Sequence, residues 1–220
     1  MNRSSHLPRR TALIALAAAW IGCSNTPTPP ELAAPAPIAD SPLAALRVLE
    51  WCWNQRDTTL YASLLPADFV FAFGALDPYG TAYRDHPWTR TDERISTRNL
   101  FYGSTDKVAA SRISLTLDRN FRVVADPRPG KNSRWHRLIR TGLFLTVVDG
   151  DYVRTDASGS GDFYFVRGDS AVLPLIDGGV VPDSTRWHLE RWEDGSAISS
   201  GAGTQPAKTS SVGSIKALYR

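Results

Sequence analysis

The period of the apolar pattern changes once along this chain, and that change restricts the fold more than any other feature. From Pro42 to about Gln55, Leu46, Leu49 and Trp53 fall on one face, with Ala45, Val48 and Cys52 beside them. Arg47, Glu50 and Asn54 form a polar stripe at the same spacing, so the segment reads as an amphipathic helix. Ser41 is placed to cap it and Pro42 suits its first position. Arg56 and Asp57 break the pattern, and Thr58 to Leu65 reads as a short second helix stopped by Pro66. Thr89, with Asp92 three residues on, is a capping box with Asp in place of Glu and predicts a third helix over about 90–101.

Elsewhere the period is two. Asp68 to Phe73 alternates large and small, and strands are predicted over 112–118, 121–124, 137–148, 162–167 and 186–194. Asp149-Gly150 is a hairpin signal. In the last strand, Trp187, Leu189 and Arg191 are predicted to face one way, with His188, Glu190 and Trp192 facing the other. Helices followed by antiparallel strands imply an α+β domain, placed at 41–194.

What precedes the domain is of another kind. Arg3, Arg9 and Arg10 lead an apolar run from Thr11 to Ile21, closed by Gly22-Cys23. That order is an export signal over 1–22, and the run is too short to span a bilayer. A cysteine at this point resembles a bacterial lipobox, with Trp20 where that motif has a Leu-like residue. The resemblance implies acylation of Cys23, palmitate included, and an anchored envelope lipoprotein. Ser24 in place of Asp is compatible with an outer membrane, the protein facing the periplasm. Residues 23–40 are a Pro/Ala-rich tether, extended and semi-rigid. Residues 195–220 read as a flexible Gly/Ser-rich tail with a short apolar segment, Ser214 to Arg220, which either adds a strand or helix to the domain or meets a partner.

Charge supports export and argues against nucleic acid. The net +3 of the whole chain comes from its first 22 residues; beyond them the 22 remaining basic residues balance 22 acidic ones. With Cys23 acylated only Cys52 is left, so no internal disulfide forms and the core must hold the domain. Cys52, within the apolar helix, reads as an inert buried thiol. His86, His136 and His188 lack metal-site spacing, so no metal or cofactor is predicted. Asp156 to Gly161 imitates the start of a calcium loop, but Arg167 stands where the closing Glu belongs, and the segment reads as a hairpin loop.

The element order resembles the NTF2-like superfamily, which includes ketosteroid isomerases and SnoaL-like polyketide cyclases. The residues that carry the resemblance are Asn54-x-x-Asp57-x-x-x-Tyr61-x-x-Leu64-x-x-x-Asp68-Phe69, then Phe163 to Arg167 and Trp187-x-Leu-x-x-Trp192. It implies a curved sheet wrapped around the first helices, leaving a cone with one open end. In isomerase-like members a catalytic carboxylate stands about five residues after the Asp that opens the first strand. Counted from Asp68, that position holds Phe73, so no catalytic residue is assigned. Trp53, Tyr61, Phe71, Phe73 and Trp187 are the candidate lining of an apolar pocket. The expected role is a binding or assembly module for a small apolar ligand, a second copy or an envelope protein. The alternative is a cyclase, dehydratase or isomerase working in the cone.

Overall fold

A computed structural model describes residues 35–83, 86–150, 153–168, 185–197 and 208–220. The export signal, Cys23 and the tether up to residue 34 lie outside the described residues.

The helices form where their end signals stand. Helix α1 spans Pro42–Gln55, with Ser41 Oγ accepting from the Ala44 amide at 3.1 Å. It ends at Arg56 in the left-handed conformation, φ 58°. A non-glycine residue there needs outside support. The Arg56 guanidinium donates to the carbonyls of Phe101 at 3.1 Å and Ser111 at 3.0 Å, and the Tyr102 hydroxyl donates to the Arg56 carbonyl. Helix α2, Thr58–Leu64, is capped by Asp57. Helix α3, Arg90–Tyr102, carries the predicted capping box between Thr89 and Asp92. Helix α4, Val212–Leu218, starts at Ser211.

The strands are β1 Val70–Ala72, β2 Trp88–Thr89, β3 Arg112–Leu117, β4 Arg122–Ala125, β5 His136–Val148, β6 Arg154–Arg167, β7 Trp187–Ala197 and β8 Lys208–Ser210. They form one unclosed sheet in the order β2-β1-β7-β6-β5-β3, with β4 also on β5 and β8 also on β6. Most pairs are antiparallel as expected, but β1 runs parallel to β7 and β8 parallel to β6, so the sheet is mixed. Helix α1 lies against β3, β5, β6 and β7, and its buried face meets Leu115, Leu145, Phe163, Leu189 and Trp192 in one core.

Three readings change. The Asp156–Gly161 stretch is not a hairpin loop. It is the middle of β6, paired with β5 along its length and with β7 from Ser158 onward. Gly161 is needed there, because a Cβ would sit 2.8 Å from the Phe163 ring. The alternation in β7 slips by one: Tyr164 pairs with Arg191 and Phe165 with Leu189, so Glu190 is an extra residue in a β-bulge. Leu189 and Trp192 therefore both face the core, each fully buried, and Trp192 does not oppose Leu189 as a simple period of two required. The ordered domain also reaches beyond 41–194. Trp187 donates its amide to the Ala39 carbonyl at 2.7 Å, and Val212, Ile215 and Lys216 are buried in the body of the protein. The Gly/Ser-rich residues 198–207 lie outside the described residues.

Candidate functional site

The interior of the sheet is not purely apolar. Glu93, in the first turn of α3, points inward and is fully buried. Its Oε1 accepts from the Tyr61 hydroxyl at 2.6 Å and from Thr97 Oγ1 at 3.3 Å, and its Oε2 from the Trp88 indole N–H at 3.0 Å. These donors come from α2, α3 and β2, so a carboxylate is held in place by three neutral groups.

Lys216 of α4 enters the same space, also fully buried. Its Nζ lies 2.9 Å from Glu93 Oε1. That is ion-pair distance, although the approach is too oblique to count as an aligned hydrogen bond. The ammonium faces rings on its other sides, 3.7 Å from the Trp192 centroid, 3.8 Å from Phe71 and 5.6 Å from Trp53. Such contacts are strongest where water is excluded. Burial lowers the Lys216 pKa, and the Glu93 charge and, more remotely, Asp194 pull it back in part. Burial, then the Glu93 charge, raises the Tyr61 phenol well above its ordinary value, so Tyr61 stays a donor.

Polar bonds at the rim seat α4. Asp77 accepts from the hydroxyls of Ser211 and Ser214. Asp194 Oδ2 accepts from the Gly213 amide at 2.8 Å, and Ser196 Oγ from the Val212 amide at 3.0 Å. Ser96 donates to the Lys216 carbonyl at 2.6 Å and Asn99 to the Tyr219 carbonyl at 2.9 Å. Arg220 pairs with Asp92, the capping-box residue. Gly213 is required by the fit, since a Cβ would lie 2.5 Å from the Phe73 ring and 2.8 Å from Asp77 Oδ2.

The five sequence-chosen lining residues do not share one pocket. Trp53 and Phe71 do face the Lys216 ammonium, and Tyr61 holds Glu93. Phe73 stacks on Tyr83 with ring centroids 4.8 Å apart and meets Phe71 and Trp88 edge to face. It lines a cleft of about 310 Å³ with Phe71, Gly80 and Arg191, and no carboxylate among the described residues lines that cleft. Trp187 sits near the other end of β7 and lines a separate cavity of about 190 Å³ with Val48, Leu60 and His188. Glu190 pairs with Arg128 and Lys131, and Arg191 with Glu193. Cys52 is fully buried, and burial followed by the Asp57 charge pushes its thiol up to about 12. Among the described residues no group of three or more His, Cys, Asp or Glu side chains is placed to hold a metal ion, and no helix is long and apolar enough to cross a membrane.

Sequence reasoning missed Glu93, Trp88 and Lys216. An acid in the first turn of a helix is ordinarily a solvated partner of the helix dipole, and a lysine near a chain end is ordinarily solvated too. The one available signal was Lys216 inside an otherwise apolar run, Ile215 to Tyr219.

Among the described residues, four helices pack with an unclosed, curved mixed sheet around one core. This is the α+β arrangement that the resemblance to the NTF2-like superfamily implies, a curved sheet wrapped around helices. No family model and no curated protein matches the chain. Solved structures do. A conserved protein from Planctomyces limnophilus is 14% identical, matching 70% of this chain and 92% of its own, with a TM-score of 0.46. An NTF2-like superfamily protein from Salmonella enterica serovar Typhimurium is 16% identical, with 73% and 92% covered and a TM-score of 0.44. A protein from Kribbella flavida is 12% identical, with 69% and 84% covered and a TM-score of 0.45. None of these likenesses bears on activity.

Proposed function

We propose that this protein is a membrane-tethered binding or assembly module rather than a catalyst. The observation that carries the reading is the filled cone. A substrate held in this interior would need the space that Lys216 takes, and a catalytic carboxylate there would have to be free to move a proton. Glu93 instead accepts three hydrogen bonds and faces an ammonium. Phe73, at the position where the resembled isomerases carry their base, packs against the rim of α4. Both supports point to a cone that holds a guest side chain.

The anchor rests on the sequence: charged start, apolar run, Cys23 and a proline-rich spacer ahead of the domain. In this reading Cys23 carries the lipid, and the spacer holds the domain off an envelope membrane, probing its surroundings for a partner.

One experiment tests both parts: native mass spectrometry of the protein extracted in detergent from cells expressing the whole chain. The expected species starts at Cys23, carries the added mass of acyl chains and retains no small molecule. An unacylated species would refute the anchor. A tightly retained organic molecule of defined mass would refute the self-filled cone and restore the enzyme alternative.

A further inference from the structure

We propose that the interior of the cone is a binding site for primary alkylammonium groups, and that Lys216 is its resident guest. The inference deepens the module reading and rests on α4 filling the cone.

The walls of the site belong to the body of the protein. The rings come from α1 (Trp53), β1 (Phe71) and β7 (Trp192), and the carboxylate from α3. Tyr61, Trp88 and Thr97 fix that carboxylate without any help from α4. Removing Lys216 therefore leaves the recognition groups in position. A carboxylate with aromatic faces around it is a receptor for an ammonium group. A lysine that merely filled space would be a poor choice, because burying its charge costs more than burying a methionine of similar length.

The geometry also selects among cations. The nitrogen lies 2.9 Å from Glu93 Oε1, an ion-pair contact that leaves no room for an N-methyl group on that side. It lies 3.7 and 3.8 Å from two ring centroids, too close for N-methyl groups between nitrogen and ring. The site thus suits an unbranched primary amine, such as an alkylamine or a lysine side chain of a partner, over a quaternary ammonium. Access runs through α4. A helix of seven residues does not persist alone, and α4 is held by the burial of Val212 and Ile215 and by individual polar bonds rather than by a strand ladder, so it opens more readily than the sheet.

The test uses the whole chain carrying Lys216→Ala, which leaves space for a lysine stem beside Glu93. Thermal unfolding is followed with added n-butylammonium chloride, with tetramethylammonium chloride at equal ionic strength, and with n-butanol. A saturable rise in Tm of about 5 °C is expected for n-butylammonium alone, and it should vanish in Lys216→Ala/Glu93→Gln. Equal rescue by n-butanol would show mere cavity filling and overturn the proposal, as would no rescue at all. If the variant does not fold unaided, refolding from urea with each additive decides the matter. Native near-ultraviolet tryptophan dichroism should return only with n-butylammonium, and its failure to return overturns the proposal. The outcome is independent of whether the natural protein is acylated or carries a ligand, which the mass measurement reports.

Discussion

Glu93 and Lys216 form a fully buried ion pair, so removing both partners should cost less than the two single removals together. In Glu93→Gln the ammonium stays buried with only ring faces for company. The amide N–H₂ must also oppose a group that can only donate, the Trp88 N–H at the Oε2 site or the Lys216 ammonium at the Oε1 site. Stranding one member of a buried pair costs about 3–5 kcal/mol. In Lys216→Met the stem is replaced at similar volume and two close cation–π contacts are lost, each worth up to about 2 kcal/mol when desolvated. The carboxylate left behind keeps its three donors, so this loss should be about 1–3 kcal/mol. The double variant has no buried charge to strand and should lie within about 2 kcal/mol of the wild type. The coupling, the summed single losses of about 4–8 kcal/mol less that of the double variant, is then at least about 2 kcal/mol. Urea unfolding at pH 7, followed by tryptophan fluorescence on the four proteins, measures it. Losses that simply add, within about 0.5 kcal/mol, would refute the argument that the pair organises the cone.

Three further outcomes are expected. Cys52 keeps its proton in the fold up to about pH 12, while in the unfolded chain it ionises near 9. The folded state therefore binds more protons in that window, and stability should fall as pH rises through it; Cys52→Ala should show a shallower fall in urea titrations between pH 9 and 11. Gly213→Ala forces a Cβ against Phe73 and Asp77 and should cost about 1–3 kcal/mol, with amide exchange accelerating over 212–218 before the rest of the domain. Tyr61→Phe removes one donor from the buried Glu93 carboxylate and should lower the unfolding free energy by about 1–3 kcal/mol in guanidinium melts, with no change in sheet content by circular dichroism.

The fold was largely legible because its signals are local. Ser41, Asp57 and Thr89 with Asp92 are side chains that bond to backbone within a few residues of themselves, and each starts a helix where it stands. Strand periodicity is equally local, and it placed β3, β4 and β5 to within one residue. It misjudged Asp156–Gly161, because small and polar residues signal a loop only when no neighbouring strands claim their backbone, and here β5 and β7 flank them. It also misjudged the facing of β7, because one bulged residue inverts every side chain beyond it.

The candidate site was legible only in its aromatics. Trp53, Tyr61 and Phe71 are large and apolar, so burial was the default for each, and the sequence by itself put them in the core. Glu93 and Lys216 are 123 residues apart and each, taken alone, belongs in water. Their burial is favourable only when both arrive together, among donors and rings from five other elements. Local pattern determined the helices, most strands and the apolar half of the interior. The charged guest at the centre was decided by tertiary structure, because only a closed set of partners offsets the cost of taking both charges out of water.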